Sequence, residues 1–129
     1  MKLKDLLNNT KLVKVNSKTR LSEVLELMSS QGINFTLVVN DKGEIVGVVT
    51  KNVILRSLIN GIKLDESVSK VMINSVRTIS CDEDLLDVFI FMVKNNINHL
   101  LAIDNNGKAL GVVSLRDVLY AINKECELS

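Results

Sequence analysis

Aromatic residues make up only 3% of this 129-residue chain, and tryptophan and proline are absent altogether. With so few rings, a formal net charge of +1, and no RNP-like, zinc-finger or arginine-rich stretch, neither stacking platforms for bases nor a basic stripe can be assembled, which counts against direct nucleic-acid binding. Cysteine is scarce too. Cys81 and Cys126 are far apart and fit neither a CxxC motif nor a zinc-ligand spacing, so reduced thiols and no metal are expected. No apolar run approaches the roughly 20 residues of a membrane span, and the opening MKLKDLL lacks the apolar core of a signal peptide, so a cytoplasmic address is expected. The single histidine, His99, has no cysteine or serine partner in a recognisable spacing. No Walker loop, HExxH or pair of carboxylates in a glycine-rich setting is present either, and the chain is not expected to be an enzyme.

What is there is the composition of an ordinary globular protein, 47% hydrophobic and 24% charged, written twice. Leu21, Val24, Met28, Ile33, Asn34 and Leu37 recur 64 positions on as Leu85, Val88, Met92, Ile97, Asn98 and Leu101. The run Gly43-x-x-x-Gly47-Val48-Val49-Thr50 likewise recurs as Gly107-x-x-x-Gly111-Val112-Val113-Ser114.

Within the first copy, Leu12–Val15 reads as a strand, and Leu21–Met28 places its apolar residues at helical spacing before the stop signal Ser29, Ser30, Gly32. Phe35–Val39 and Glu44–Val49, separated by the turn formers Asn40–Gly43, spell a hairpin, and a helix from Asn52 to Ile59 closes the copy. The stretch Leu64–Met72 carries a short Ser67-led helix into the second copy, as Lys4–Asn8 does for the first. Each copy is strand, helix, strand, strand, helix. At about sixty residues a copy is marginal alone, so an α+β fold is expected in which two pseudo-symmetric repeats, 1–62 and 63–129, pack as one domain.

This order of elements, with Ile97-Asn98-His99-Leu100-Leu101-Ala102-Ile103-Asp104 and Gly111-Val112-Val113-Ser114-Leu115-Arg116-Asp117, resembles the CBS domain pair, or Bateman module, over nearly the whole chain. The most specific element is the Gly-hydrophobic-hydrophobic-Ser/Thr-x-x-Asp ending, where the hairpin's last strand meets the closing helix. Two departures stand out. The prolines common in the family at the positions of Leu37 and Leu101 and near Cys81 are missing, and Val53 replaces the aspartate of the first copy.

The resemblance implies a regulatory module that binds an adenine nucleotide or adenosyl compound, AMP, ADP, ATP or S-adenosylmethionine, in clefts that each draw on both repeats. A helix N-terminus favours an anion, and a carboxylate one turn on can accept hydrogen bonds from a ribose diol. Carried over, the main cleft combines Val112, Ser114, Arg116 and Asp117 with Lys14, Ile33, Asn34 and Phe35. The weaker one combines Thr50 with Thr78, Ile97, Asn98 and His99, and lacks the carboxylate. On the residues alone, Ser114 and Asp117 serve equally well as caps of the last helix, and His99 as a residue at the core's edge.

The copies also differ on the outer face of the first long helix. Ser22, Glu26 and Ser29 become Leu86, Ile90 and Val93, while Leu115 and Tyr120 replace Lys51 and Arg56 in the closing helix. A helix apolar almost all round needs cover on both sides. The expected cover is a second copy of the chain, giving a homodimer; the alternative is packing within the chain. The resulting function is a sensor, free-standing or cut from a longer enzyme, channel or transcription regulator that acts as its effector. The alternative is a dimerisation scaffold with degenerate clefts.

Overall fold

Each change of period along the sequence becomes a change of secondary structure. The computed structural model describes residues 1–7 and 12–128, the side chains of 126–128 apart. The first copy forms β1 (Lys14–Asn16), α1 (Leu21–Gln31), β2 (Phe35–Val39), β3 (Ile45–Thr50) and α2 (Lys51–Ile59). The second forms β4 (Thr78–Ser80), α3 (Leu85–Lys94), β5 (His99–Ile103), β6 (Ala109–Ser114) and α4 (Leu115–Leu128). The fold is α+β, two repeats of strand, helix, strand, strand, helix.

Each repeat builds a three-stranded sheet in which the first strand lies parallel to the second and the second antiparallel to the third. The registers match: Phe35 faces Thr50 where His99 faces Ser114, and both hairpins slip by a residue at Val38/Val39 and Ala102/Ile103. The turns match as well. Asn40 Oδ1 accepts from the N–H groups of Lys42 and Glu44, and Asp104 Oδ1 from those of Asn106 and Lys108. A side-chain carbonyl or carboxylate that closes a turn on its own backbone is what fits Asn and Asp to these positions.

By contact the chain divides into two compact units, Val13–Val76 and Met1–Leu12 with Arg77–Ser129. In the first, Val15, Val38 and Val49 from one face of the sheet pack against Leu21, Val24 and Met28 of α1 and Ile54 of α2. Burying side chains of this size stabilises by about 1.5–3 kcal/mol each. In the second, Leu100, Ala102 and Val113 pack against Leu85, Val88 and Met92 of α3 and Val118 and Ala121 of α4.

The division by packing differs from the sequence division at residue 62 because the leading turns change sides. The first turn, Leu3–Leu6, packs not on the copy it precedes but on the second, where Leu3 is completely buried beside Leu85 and its N–H donates to the Glu83 carbonyl at 2.9 Å. Asn8, the end of the expected lead-in helix, lies outside the described residues. The second turn, Val68–Lys70, packs on the first copy: Val68 fills the end of that core, its N–H donates to the Thr19 carbonyl at 2.8 Å, and the Leu21 N–H donates to the Glu66 carbonyl at 2.9 Å. The reason lies in the backbone. The start of a helix carries unpaired N–H groups, and a chain segment laid across α1 supplies the carbonyls for them.

Two glycine positions show where the repeat is held by backbone conformation or by space. α1 ends at Gly32 in the left-handed region, φ +64°, and at the matching place after α3 stands Asn96, φ +53°, the non-glycine residue type that tolerates that conformation best. At Gly47 a Cβ would meet Met72 Sδ at 2.7 Å and the Ile73 carbonyl oxygen at 3.0 Å. The missing side chain lets Ile73 pair with Val48 through hydrogen bonds of 2.8 and 3.0 Å.

One residue breaks the apolar logic of the first core. Thr36 shares its sheet face with Val38, is completely buried, and its hydroxyl has no hydrogen-bond partner among the described residues, whereas the matching Leu100 is apolar. A buried hydroxyl left unpaired costs about 1–3 kcal/mol. Thr36→Val keeps the shape and removes the oxygen, so it is expected to raise stability by about 1 kcal/mol in urea unfolding; an unchanged or lowered midpoint would refute the assignment.

Candidate functional site

The last strand of each repeat runs into its closing helix with no residue between them, and this junction carries the chemistry. In the second repeat Ser114 ends β6 and Leu115 opens α4. The Asp117 N–H donates to Ser114 Oγ at 3.0 Å, and the Ser114 N–H reaches back to Asp117 Oδ2 at 3.4 Å. This is a reciprocal cap, with Leu115 N–H donating to the Asn98 carbonyl at 2.8 Å. In the first repeat Val53 N–H donates to Thr50 Oγ1 at 3.2 Å, and Lys51 N–H to the Asn34 carbonyl at 2.7 Å. Valine at position 53 leaves that junction with a hydroxyl cap and no carboxylate.

Strand alternation sorts the remaining candidates by face. Since Leu100, Ala102 and Val113 face the unit's helices, His99, Leu101, Val112 and Ser114 lie on the opposite face, free of the unit's own α3 and α4, with Thr78 beside Leu101. In the other unit Phe35, Leu37, Val48, Thr50 and Lys14 occupy the same positions. Val112 is buried, Arg116 and Asp117 are exposed on α4, and Asn34 and Asn98 are exposed while their carbonyls serve the helix starts. Ile97 is buried in the helix-side core and Ile33 packs against its own. Their side chains thus belong to packing; what they can offer a ligand is backbone.

His99 and Asp117, which the resemblance assigns to different clefts, are brought together within one unit. His99 lies across the strand pair from Ser114, and the carboxylate of Asp117 acts on its ring. Burial holds the half-buried imidazole below its usual 6.5, and the nearby Asp117 charge opposes that shift without cancelling it. The hairpin register was the available signal. Counting back from Gly107 through the turn pairs residue 99 with residue 114.

The lowered imidazole pKa has a defined consequence for stability. Below pH 6.5 the unfolded chain takes up the proton more readily than the folded one, so His99 destabilises the fold progressively as pH falls through this range. His99→Phe, the residue type at position 35, is expected to flatten that part of the stability profile in thermal melts between about pH 8 and pH 5.5. An identical slope in the variant would refute it.

Among the described residues no group of three His, Cys, Asp or Glu side chains is placed to hold a metal ion, and no helix is long and apolar enough to cross a membrane. Cys81 is buried and free.

A duplicated α+β unit with a polar cap at each strand-to-helix junction defines a class of small two-repeat modules. The CBS domain pattern matches residues 3–60 and again 68–124, and the chain belongs to the CBS domain family. It is 28% identical to an uncharacterized 17.7 kDa protein of Acidianus ambivalens, covering 88% of this chain and 68% of that one. It is 30% identical to an uncharacterized Helicobacter pylori protein, over 92% of this chain but only 36% of the relative's length. Among solved structures, an uncharacterized conserved protein from Pyrococcus horikoshii superposes with a TM-score of 0.83 at 30% identity, covering 93% of this chain and 90% of that one. A CBS domain protein from Pyrobaculum aerophilum complexed with AMP shares the fold at 22% identity and TM-score 0.83, over 100% of both chains. The CBS domain pair of protein MJ0100, in complex with 5′-methylthioadenosine and S-adenosyl-L-methionine, shares it at 23% identity and TM-score 0.82, over 97% of this chain and 98% of that one.

Proposed function

We propose that the chain is a cytoplasmic regulatory module that binds an adenine nucleotide or adenosyl compound, with Asp117 as the ribose acceptor and Ser114 at the anion-favouring start of α4. The observation that carries this reading is the Ser114–Asp117 junction on the side of the second sheet away from α3 and α4, set against the Thr50–Val53 junction of the first. A carboxylate whose return bond to Ser114 is long, 3.4 Å, keeps acceptor capacity for a vicinal diol. The complexes of structural relatives with AMP and with 5′-methylthioadenosine and S-adenosyl-L-methionine support the same ligand class. Binding is expected to be strong at the Asp117 end and weak or absent at Thr50.

In thermal-shift titrations with AMP, ADP, ATP, S-adenosylmethionine and 5′-methylthioadenosine, one of these ligands is expected to raise the melting temperature. At one hundred times Kd the gain is about 2.7 kcal/mol. Asp117→Ala is expected to abolish most of it. No shift with any ligand would favour a scaffold with degenerate clefts, a reading that the mutual cap of Ser114 and Asp117 also supports.

The module is further proposed to act as a homodimer and to report to an effector, on the same chain or another, as the greater length of relatives such as the Helicobacter protein permits. Leu86, Ile90 and Val93 of α3 are 52%, 41% and 51% exposed, which is too much apolar surface on one helix to leave in water, and Leu119 and Tyr120 of α4 add to it. Leu115 packs partly into the unit's own core instead. Sedimentation at micromolar concentration is expected to give a dimer, and Ile90→Glu a monomer; a dimer that survives Ile90→Glu would refute this face.

A further inference from the structure

The site has one titratable group that the binding reading leaves unused. His99 is the only histidine in the chain, and it stands on the face away from α3 and α4, directly across from Ser114, whose hydroxyl and N–H are both tied to Asp117. The matching positions of the first repeat are Phe35, Thr50 and Val53, a set that cannot titrate. On the elements flanking β5 the charged groups near this end are Arg77, which precedes β4 and whose carbonyl accepts from Leu101 N–H, and Arg116 and Asp117 on α4. The Asp117 carboxylate favours the charged form of the ring, against the larger effect of burial.

We propose that His99 makes ribose binding at Asp117 proton-linked, so that acidification releases the ligand from this repeat while the first repeat has no such response. This rests on the binding reading above and names its regulation. An imidazolium and a ribose diol compete for the same carboxylate. When His99 is protonated, the Asp117 charge is drawn toward it. When a diol occupies the carboxylate, the bound nucleoside also excludes water from the ring, and both effects disfavour the imidazolium. The burial that already holds the imidazole below 6.5 therefore deepens on binding. By linkage, binding is tightest where His99 is neutral and weakens as pH falls, up to tenfold for each unit by which the ligand lowers the imidazole pKa.

The test is calorimetric titration of the full chain with 5′-methylthioadenosine, which carries no phosphate to titrate, at about pH 8 and about pH 5.5, with circular dichroism to confirm that the chain is folded at both. Wild type is expected to lose roughly three- to tenfold in affinity at the lower pH. His99→Phe and His99→Gln, whatever their absolute affinities, are expected to bind equally at the two. A pH-independent wild type, a wild-type affinity that rises on acidification, or the same loss in both variants overturns the proposal and leaves the binding reading standing. A folded wild type that binds 5′-methylthioadenosine at neither pH and responds to none of the ligands of the thermal-shift series overturns the binding reading, and this inference with it.

Discussion

The interaction on which the rest of this structure depends is the seam between a strand and the helix that follows it. Because β6 becomes α4 with no loop, the first helical N–H groups must find partners from what lies beside the strand's end. They find the Asn98 carbonyl and the Ser114 hydroxyl, as α2 finds those of Asn34 and Thr50. Pairing these groups fixes where the helix starts, and so which residues stand one turn inside it. The same seam directs Ser114 and Thr50 to the side of their sheets away from the repeat's own helices, since the residues before them, Val113 and Val49, are spent on the cores. Capping and ligand contact are therefore two uses of one geometry.

Duplication gives the chain two copies of that geometry, and substitution has made them unlike. Asp117 against Val53 and His99 against Phe35 put a carboxylate and an imidazole at the second junction where the first has apolar side chains. Leu86, Ile90 and Val93 against Ser22, Glu26 and Ser29 put the apolar outer face in the second repeat too. The first repeat is chemically quieter, and its one oddity, the unpaired hydroxyl of Thr36, lies in its core. Backbone constraints have stayed common to both: left-handed caps at Gly32 and Asn96, Asx turns at Asn40 and Asp104, and the same slip in each hairpin. Side chains on open faces can change without disturbing the hydrogen-bond ladder, whereas positions that set a turn or a helix end cannot.

The fold was legible because it is written in local periods. Leu21, Val24 and Met28 at helical spacing, and Phe35–Val39 followed by a turn rich in Asn, Asp and Gly, each state an element and its buried face without reference to anything distant. The sequence also held Ser114 and Asp117 together, three residues apart at a helix start, although whether they cap or bind was open on the residues alone. It did not show that His99 belongs beside them, because that proximity is a matter of register across a hairpin. Nor did it show that Ile97 turns into the helix-side core while its neighbour Asn98 stays exposed.

By itself, then, the sequence determined the repeat, the order of elements, the apolar faces of the helices and the chemical inequality of the two junctions, since all of these follow from short-range periodicity and from comparing one copy with the other. Only the tertiary structure decided that Leu3 completes the core of the second repeat and Val68 that of the first. Only it brought His99 within reach of the Asp117 charge. The first depends on which backbone groups a distant segment finds unpaired and the second on register across a hairpin, and neither leaves a periodic mark in the chain.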